Sequence, residues 1–314
     1  MLRELRGATT ALALVVCALL ALISFDFGIP GQELLQSLRF HIAALLFCLI
    51  VLLLAGGAWW RAVILLLPLM ASLGEGASII HAQQQAHQTV AAPGTTPLFR
   101  MLSFNLLNNN KNGAAIADYI VNSGADIVMV MEGGPLSRHR DKVFAAYPYN
   151  LGCIDFAGCS TTILSKWPLT QINARDLSEY YPRRLVTAVA DINGTKVNLV
   201  LAHMSKPYFD VIAAKEAARI AYFIRGLDGP VLLAGDFNAA AWSDNIARLA
   251  RREKLAPGPA YPATWPVELG PLGVPIDNVL ARAPLVIESV RAMDDSLGSN
   301  HRGLISEISI AKPG

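Results

Sequence analysis

Apolar side chains fill most of the first eighty residues and fall into three long runs. These runs cover approximately residues 8–25, 40–60 and 62–80. Each approaches the ~20 residues that an α-helix needs to cross a bilayer, and they largely lack the polar positions that a surface helix shows at helical spacing. The pattern predicts three transmembrane helices in a membrane domain of residues 1–82. A signal peptide is the alternative for the first run, but no small-X-small cleavage site follows it before Asp26, which favours a retained anchor.

Basic residues at the ends of the apolar runs predict the orientation of the chain. Arg3 and Arg6 precede the first run, and Arg61 lies in the turn between the second and third. The positive-inside rule places all three in the cytoplasm, although Arg39 on the other side weakens the bias. With three spans, the chain after the last one lies outside. We therefore predict a multi-pass protein of a bacterial inner (cell) membrane whose second domain faces the periplasm or the exterior.

A change of pattern marks the start of the second domain. Residues 83–97 are rich in Gln, Ala, Thr and Pro and predict a linker without a core of its own. From 98 to 314, short apolar runs alternate with amphipathic segments. Strands are predicted at 99–105, 125–131, 160–164, 185–192, 196–203, 276–282 and 303–310, with a further strand that begins at Val231, and helices at 113–123, 211–225 and 243–254. A hairpin signal, Asn193-Gly194, stands beside these helical connections and predicts an α/β fold with mixed sheets.

Composition and charge restrict the class of partner. The chain is 53% hydrophobic, which is too apolar for one soluble domain. Its net charge is only +2, far from the strong basic bias of proteins that bind long nucleic acid, and this favours other substrates. Two of the four cysteines, Cys153 and Cys159, flank a short segment, where an oxidising compartment would allow a disulfide. The sequence leaves open whether they form one or remain free thiols.

Residues of catalytic types end or follow several of the predicted strands. The clearest case is the apolar run 231–234, which ends in Gly-Asp-Phe-Asn. Alone, this tetrapeptide is also typical of a helix cap, and single Asn or His residues after strands are usually structural. Seven such residues at strand ends are hard to explain as separate structural positions, and together they indicate one site. Rigid strands also hold reactive groups better than loops do. The seven are Asn105, Glu132, His203, Asp236, Asn238, Asp277 and His301.

The ordered motifs around these residues resemble those of the endonuclease/exonuclease/phosphatase superfamily. They are Ser-Phe-Asn at 103–105, Val-Met-Glu at 130–132, Ala-His-Met at 202–204, Gly-Asp-Phe-Asn at 235–238, Ile-Asp-Asn at 276–278 and Ser-Asn-His at 299–301. The resemblance extends over residues 98–310. It implies a four-layer sandwich of two packed mixed β-sheets flanked by helices, with the active site where strand ends from both sheets meet.

The same resemblance implies a metal site. Glu132, Asn105 and Asn300 would hold a divalent cation, Mg²⁺ or alternatively Mn²⁺, and hard oxygen ligands suit both ions. The family usually has Ser-Asp-His where this chain has Ser-Asn-His. Asn300 keeps an oxygen ligand but loses a charge, so we expect weaker metal binding or a different metal preference.

The catalytic roles are likewise implied by the resemblance. Asp236 would orient or deprotonate the attacking water. Asn238 and His203 would donate hydrogen bonds to the phosphoryl oxygens. His301 would protonate or stabilise the leaving group, with Asp277 fixing its imidazole. Which group is the general base stays open at the level of sequence.

Three functions are compatible with these features. The first is a membrane-anchored, metal-dependent phosphoester hydrolase, and three spans near the lipid surface favour a phosphorylated, lipid-linked or envelope substrate. The second is an endonuclease or exonuclease, which the near-neutral charge disfavours. The third is a catalytically weakened domain that binds phosphates or a protein partner, for which Asn300 is the only support.

Overall fold

The computed structural model describes residues 2–25, 27–92, 94–152, 160–180, 182–208 and 211–312. Cys153 and Cys159, for which we left a disulfide open, lie outside these residues. The N-terminal region contains the helices α1 (Leu2–Ser24), α2 (Gln32–Ser37), α3 (Arg39–Ala55) and α4 (Trp59–Ala91).

Two of these helices, not three, are long and apolar enough to cross a membrane. They are α1, from Arg3, and α4. The prediction of three such helices is wrong for the middle run, because α3 has only 17 residues. Its end is set by Gly56 and Gly57, the second of which has a φ of 77° that turns the chain back toward α4.

An apolar cluster and one buried ion pair join the long helices. Leu20, Leu46 and Leu65 belong to a core shared by α1, α3 and α4. Arg39, only 1% exposed, lies 2.7 Å from a Glu75 carboxylate oxygen. Its guanidinium also donates to the Ile23 carbonyl. The charge of Glu75, which stands out in an apolar run, is therefore balanced by Arg39.

The polar segment predicted as a linker is helical over its first half. Helix α4 continues to Ala91, and the first strand begins at Thr95. The polar side chains of this last part bind the second domain: Gln83 Nε2 donates to the Ala241 carbonyl at 2.7 Å, and His87 Nε2 is 2.9 Å from the Ile287 carbonyl oxygen. These tertiary hydrogen bonds explain why a segment without an apolar face is ordered.

The second domain contains two six-stranded mixed sheets, as predicted, in the residues that the structure describes. The strands are β1 (Thr95–Asn105), β2 (Ile127–Met131), β3 (Tyr149–Gly152), β4 (Thr161–Ser165), β5 (Leu169–Arg175), β6 (Leu185–Ile192), β7 (Thr195–His203), β8 (Val231–Asp236), β9 (Leu255–Pro257), β10 (Asp277–Arg282), β11 (Leu285–Ala292) and β12 (Leu304–Ala311). One sheet has the order β11-β12-β1-β2-β4-β3 and the other β5-β6-β7-β8-β10-β9.

The two sheets pack face to face and helices cover their outer faces. The inner core includes Met101 and Met129 from one sheet and Leu201 and Leu232 from the other, all fully buried. Helices α5 (Gly113–Asn122) and α6 (Arg140–Ala146) cover the first sheet, and α7 (Ile212–Arg225) and α8 (Asp244–Arg252) the second. This arrangement confirms the four-layer sandwich.

Strand register places the candidate catalytic residues side by side. Strands β7 and β8 are parallel, and His203 is the register partner of Asp236. Strand β10 is antiparallel to β8, and its first residue, Asp277, is paired with the same Asp236. In the other sheet, parallel β1 and β2 end together at Asn105 and Met131. The strand ends therefore deliver polar side chains to one edge of the sandwich.

Gly235 is required for this edge, and we expect Gly235→Ala to destabilise the domain. Its φ is +144°, and an added Cβ would lie 1.9 Å from the carbonyl oxygen of Ala202 on β7. The strain and the clash together should lower the free energy of unfolding by about 3 kcal/mol or more. Thermal melting of the full chain measures this. The matched control is Gly229→Ala, which has a positive φ but open space; equal melting temperatures for the two variants would contradict the prediction.

Candidate active site

Asp236 is the centre of the site. One carboxylate oxygen, Oδ1, accepts a hydrogen bond from the backbone N–H of Asn238 at 2.9 Å. The other, Oδ2, accepts one from Asn105 Nδ2 at 3.0 Å. The same oxygen lies 3.8 Å from His203 Nε2 and 3.7 Å from His301 Nε2. A single buried carboxylate thus faces two imidazoles, one on each side.

His301 and Asp277 form a hydrogen-bonded pair beside it. The distance from His301 Nδ1 to Asp277 Oδ2 is 2.9 Å. The turn that carries His301 is held by Ser299, whose Oγ accepts from the His301 N–H and donates to the Asn105 carbonyl. Burial lowers the pKa of His301, but the carboxylates of Asp277 and Asp236 outweigh it and raise the pKa to about 9. His301 is therefore an imidazolium at neutral pH.

His203, by contrast, is neutral at pH 7. It is 4% exposed, and its Nδ1 is hydrogen-bonded to Ser160 Oγ at 3.1 Å. Burial, which the Asp236 carboxylate opposes only in part, lowers the pKa of His203 to about 4. One imidazole beside Asp236 is thus neutral at pH 7 and the other charged. Titratable groups whose pKa values are pushed apart in this way are typical of acid–base pairs in active sites.

Glu132 lies at the mouth of the site, directly after β2. Its backbone has a φ of 53°, in the left-handed region that non-glycine residues seldom adopt. Its Oε2 accepts from the Asn108 N–H at 2.8 Å, and its Oε1 lies 3.3 Å from Asn105 Nδ2. Asn105 therefore bridges Glu132 and Asp236 through its amide nitrogen, while its Oδ1 accepts from the Leu107 N–H. The ligand role that the resemblance implies for Asn105 stays a prediction.

The remaining two predicted residues lie at the edges of this cluster. Asn238 has a φ of 51°, and its Nδ2 donates to the Met204 carbonyl at 2.8 Å. Asn300 is half-buried between Ser299 and His301, in the turn that carries the imidazolium. The structure thus brings the predicted residues of both sheets to one edge of the sandwich.

The site carries an excess of negative charge that a cation would balance. A carboxylate oxygen of Asp236, one of Asp277 and a ring nitrogen of His301 lie within 4.8 Å of one another. While His301 is protonated its nitrogen cannot bind a metal, so the carboxylates are the donors. With Glu132, three carboxylates stand against the single His301 imidazolium. Burial, helped by the charge of Asp277, raises the pKa of Asp236, whereas the two histidines lower it. Carboxylate oxygens suit a hard divalent ion such as Mg²⁺ or Mn²⁺, so the donor set fits a metal site.

A cleft of about 890 Å³ opens from Glu132, His203 and Asn238. Its wall includes three basic side chains that can bind anionic oxygens: Arg184, Lys206 and Lys215. Sequence reasoning missed both lysines as well as Ser160, the hydrogen-bond partner of His203. The lysines lie outside every recognised motif, and Ser160 was assigned only to the start of a strand.

Buried acids and imidazoles from strand ends of both sheets meet at this edge of the sandwich. Residues 102–301 match the model of the Endonuclease/Exonuclease/phosphatase family. The match covers well over half of the chain, and the chain belongs to this family. Its members are typically metal-dependent hydrolases, in agreement with the site. No curated protein matches the chain.

Solved structures with the same fold include two further family members and one enzyme of stated activity. The endonuclease/exonuclease/phosphatase from Beutenbergia cavernae has 17% sequence identity and a TM-score of 0.56, over 69% of this chain and 72% of that one. A family member from Bacteroides vulgatus has 16% identity and a TM-score of 0.57, over 68% and 100%. Sphingomyelinase C from Streptomyces griseocarneus has 18% identity and a TM-score of 0.52, over 68% and 99%. At these identities the likeness concerns the fold.

The charge of His301 predicts an alkaline limit to activity. A rate that needs the imidazolium should fall above about pH 9, where His301 loses its proton. Asp277→Asn removes the carboxylate that raises this pKa most, so the fall should move to lower pH. A pH–rate profile with bis(4-nitrophenyl) phosphate and Mg²⁺ measures the shift. Asp191→Asn, in the distant β6–β7 hairpin, serves as control, and an unchanged alkaline limb in Asp277→Asn would refute the role of the pair.

Proposed function

We propose that the protein is a membrane-anchored, metal-dependent phosphoester hydrolase that acts outside the cytoplasm on lipid-linked or envelope phosphates. The main support for a hydrolase is the position of the buried Asp236 carboxylate. It lies 3.8 Å from the neutral His203 imidazole and 3.7 Å from the protonated His301 imidazole. The two long apolar helices support the anchor.

The residues of the site suit the chemistry of phosphoester hydrolysis. The reaction adds negative charge to oxygens that already repel a nucleophile, so donors and cations must stabilise it. Asp236 would accept the proton of the attacking water, and neutral His203 would donate to a phosphoryl oxygen. The His301 imidazolium, held by Asp277, would give its proton to the leaving oxygen. A divalent ion held by Glu132, with Asn105 and Asn300 beside it, would neutralise phosphoryl charge.

An exposed apolar segment near the site supports a substrate that lies in the bilayer. The short 3-10 helix Val267–Leu272 carries Leu269 and Leu272, which are 52% and 71% exposed. The Leu272 carbonyl oxygen lies 2.8 Å from His41 Nε2, in the first turn of α3. This contact places the segment beside the start of the apolar helix α3. Trp265, just before it, lines the same small cavity as His301.

A substrate panel tests the proposal. The full chain, reconstituted in vesicles, is given lipid phosphates and pyrophosphates, sugar phosphates and plasmid DNA, each with Mg²⁺ and with EDTA. We expect Mg²⁺-dependent hydrolysis of a lipid phosphate that Asp236→Asn abolishes. Faster nicking of plasmid DNA than of any lipid substrate would establish the nuclease instead. No hydrolysis of any substrate would favour the phosphate- or partner-binding domain.

The replacement of the usual Asp by Asn300 predicts a further result. Asn300→Asp should bind Mg²⁺ more tightly, by about tenfold, because added ligand charge strengthens oxygen sites for hard cations. Isothermal titration of Mg²⁺ into the wild type and the variant measures the difference. Asn109→Asp adds the same charge at an exposed position nearby and controls for long-range attraction. Equal affinities of wild type and Asn300→Asp would exclude a metal contact at this position.

A further inference from the structure

Helix α2, in the short connection between the apolar helices, makes polar contacts with the catalytic domain. Six hydrogen bonds join α2 to residues 240–245, just after Asp236 and Asn238. The contacts are Ala240 N to Ser37 Oγ at 2.9 Å, Trp242 Nε1 to Gln36 O at 3.1 Å, Ser243 Oγ to Glu33 Oε1 at 3.1 Å, Asn245 Nδ2 to Glu33 Oε2 at 3.0 Å, Asp244 N to Gln36 Oε1 at 3.0 Å and Gln36 Nε2 to Asp244 Oδ2 at 2.6 Å.

The polar groups on both sides of this contact are buried. Glu33, Gln36 and Ser37 are 7%, 3% and 1% exposed, and Ser243 is fully buried. Buried polar groups cost free energy unless they are hydrogen-bonded. The Ala240 N–H would therefore lose its partner if Ser37 were removed. The hydrogen-bonding groups of the two surfaces are complementary, so the position of α2 on the domain is specific.

The segment that α2 holds is continuous with the catalytic residues. Asn238 N–H binds Asp236, and Ala239 follows, with its carbonyl accepting from Asn278 Nδ2 at 2.9 Å. Ala240, bound by Ser37, is only two residues from Asn238. The left-handed backbone of Asn238 persists only if its surroundings fix it. Strand β10 does so from one side and α2 from the other.

Helix α2 also reaches the catalytic side chains directly. Leu34 of α2 and Leu38, which directly follows the helix, line a small cavity of about 50 Å³. The same cavity is bounded by Asn238, His301 and Trp265. The N-terminal helical region thus contributes one wall of the active site.

We propose that Glu33, Gln36 and Ser37 are positioning residues of the active site, which hold Asp236 and Asn238 through residues 240–245. The inference rests on the proposed hydrolase function. The helical region then supports the geometry of the active site as well as anchoring the enzyme. Simple attachment would not need these contacts, since Gln84 and His87 of α4 already bind the domain at Gly258 and Ile287.

The test compares Ser37→Ala with a matched variant in the full chain. Both variants are assayed with bis(4-nitrophenyl) phosphate and Mg²⁺. Ser37→Ala should lower kcat about tenfold with KM unchanged, because small displacements of catalytic groups reduce the chemical step more than binding. Ser37→Thr keeps the hydroxyl and should restore most of kcat. His87→Ala removes a hydrogen bond between the helical region and the domain far from residues 240–245, and should leave kcat unchanged.

Two results would overturn the proposal. One is an equal loss of kcat in Ser37→Ala and His87→Ala; the other is unchanged kcat in both Ser37→Ala and Glu33→Gln. If the wild type hydrolyses no phosphoester, the proposed function is wrong. Hydrogen–deuterium exchange then tests separately whether α2 holds residues 237–243 in place. Faster exchange at 237–243 in Ser37→Ala than in His87→Ala would support the positioning role. Equal exchange would refute it.

Discussion

Asp236→Asn is expected to lower kcat about 10³-fold, because an amide cannot accept the proton of the attacking water. The substitution keeps the size of the side chain and one oxygen for the Asn238 N–H. Among the residues that the structure describes, no other carboxylate is recorded within 4 Å of both His203 and His301. Initial rates on bis(4-nitrophenyl) phosphate at saturating Mg²⁺ give the ratio.

The same variant should not lose stability. Asp236 and Asp277 are paired across β8 and β10, and like charges directly opposite in a sheet are unfavourable. Burial raises the pKa of Asp236 despite the two histidines. Removing its charge should therefore offset the hydrogen bond that Asn105 Nδ2 loses, and the melting temperature should stay close to that of the wild type. Asp118→Asn, at an exposed position of α5, is the control for kcat. Activity of Asp236→Asn within tenfold of wild type would exclude Asp236 as the base.

Glu132→Gln is expected to weaken Mg²⁺ binding at least about tenfold and to lower activity about 10²–10³-fold at low Mg²⁺. The amide keeps one oxygen but loses the negative charge at the mouth of the cleft. Activity measured across a Mg²⁺ titration separates the two effects, since excess metal should recover part of the rate. The exposed Glu268→Gln serves as control. A Mg²⁺ dependence identical to wild type would remove Glu132 from the metal site.

Local patterns were sufficient for the central strands of both sheets. Strand β6 begins and ends where the alternation and the Asn193-Gly194 turn predict, β7 differs by one residue, and β8 begins at Val231 as predicted. Strands β3 and β5 were missed because they lie at sheet edges and their residues are mostly exposed and polar. Pairing with a neighbour, which is a tertiary effect, defines such strands.

The candidate site could be predicted because its residues end strands that are recognisable on their own. The structure places Asp236, Asp277 and His203 in adjacent register positions, as a convergent site requires. The role of α2 could not be predicted, since Ser37 and Ala240 meet only in the folded chain. The number of long apolar helices was misjudged for a similar reason: Gly56 and Gly57 end α3 early, inside a run that composition alone extends.

Anomalous diffraction from Mn²⁺-soaked crystals of the full chain tests the central claim most directly. That claim is that strand ends of the two sheets converge on one divalent cation. The account predicts a single strong peak within about 2.5 Å of a Glu132 carboxylate oxygen, in the cleft that His203 and Asn238 also line. A peak at another part of the molecule, or Glu132 and His301 on separate faces, would contradict the metal-dependent hydrolase.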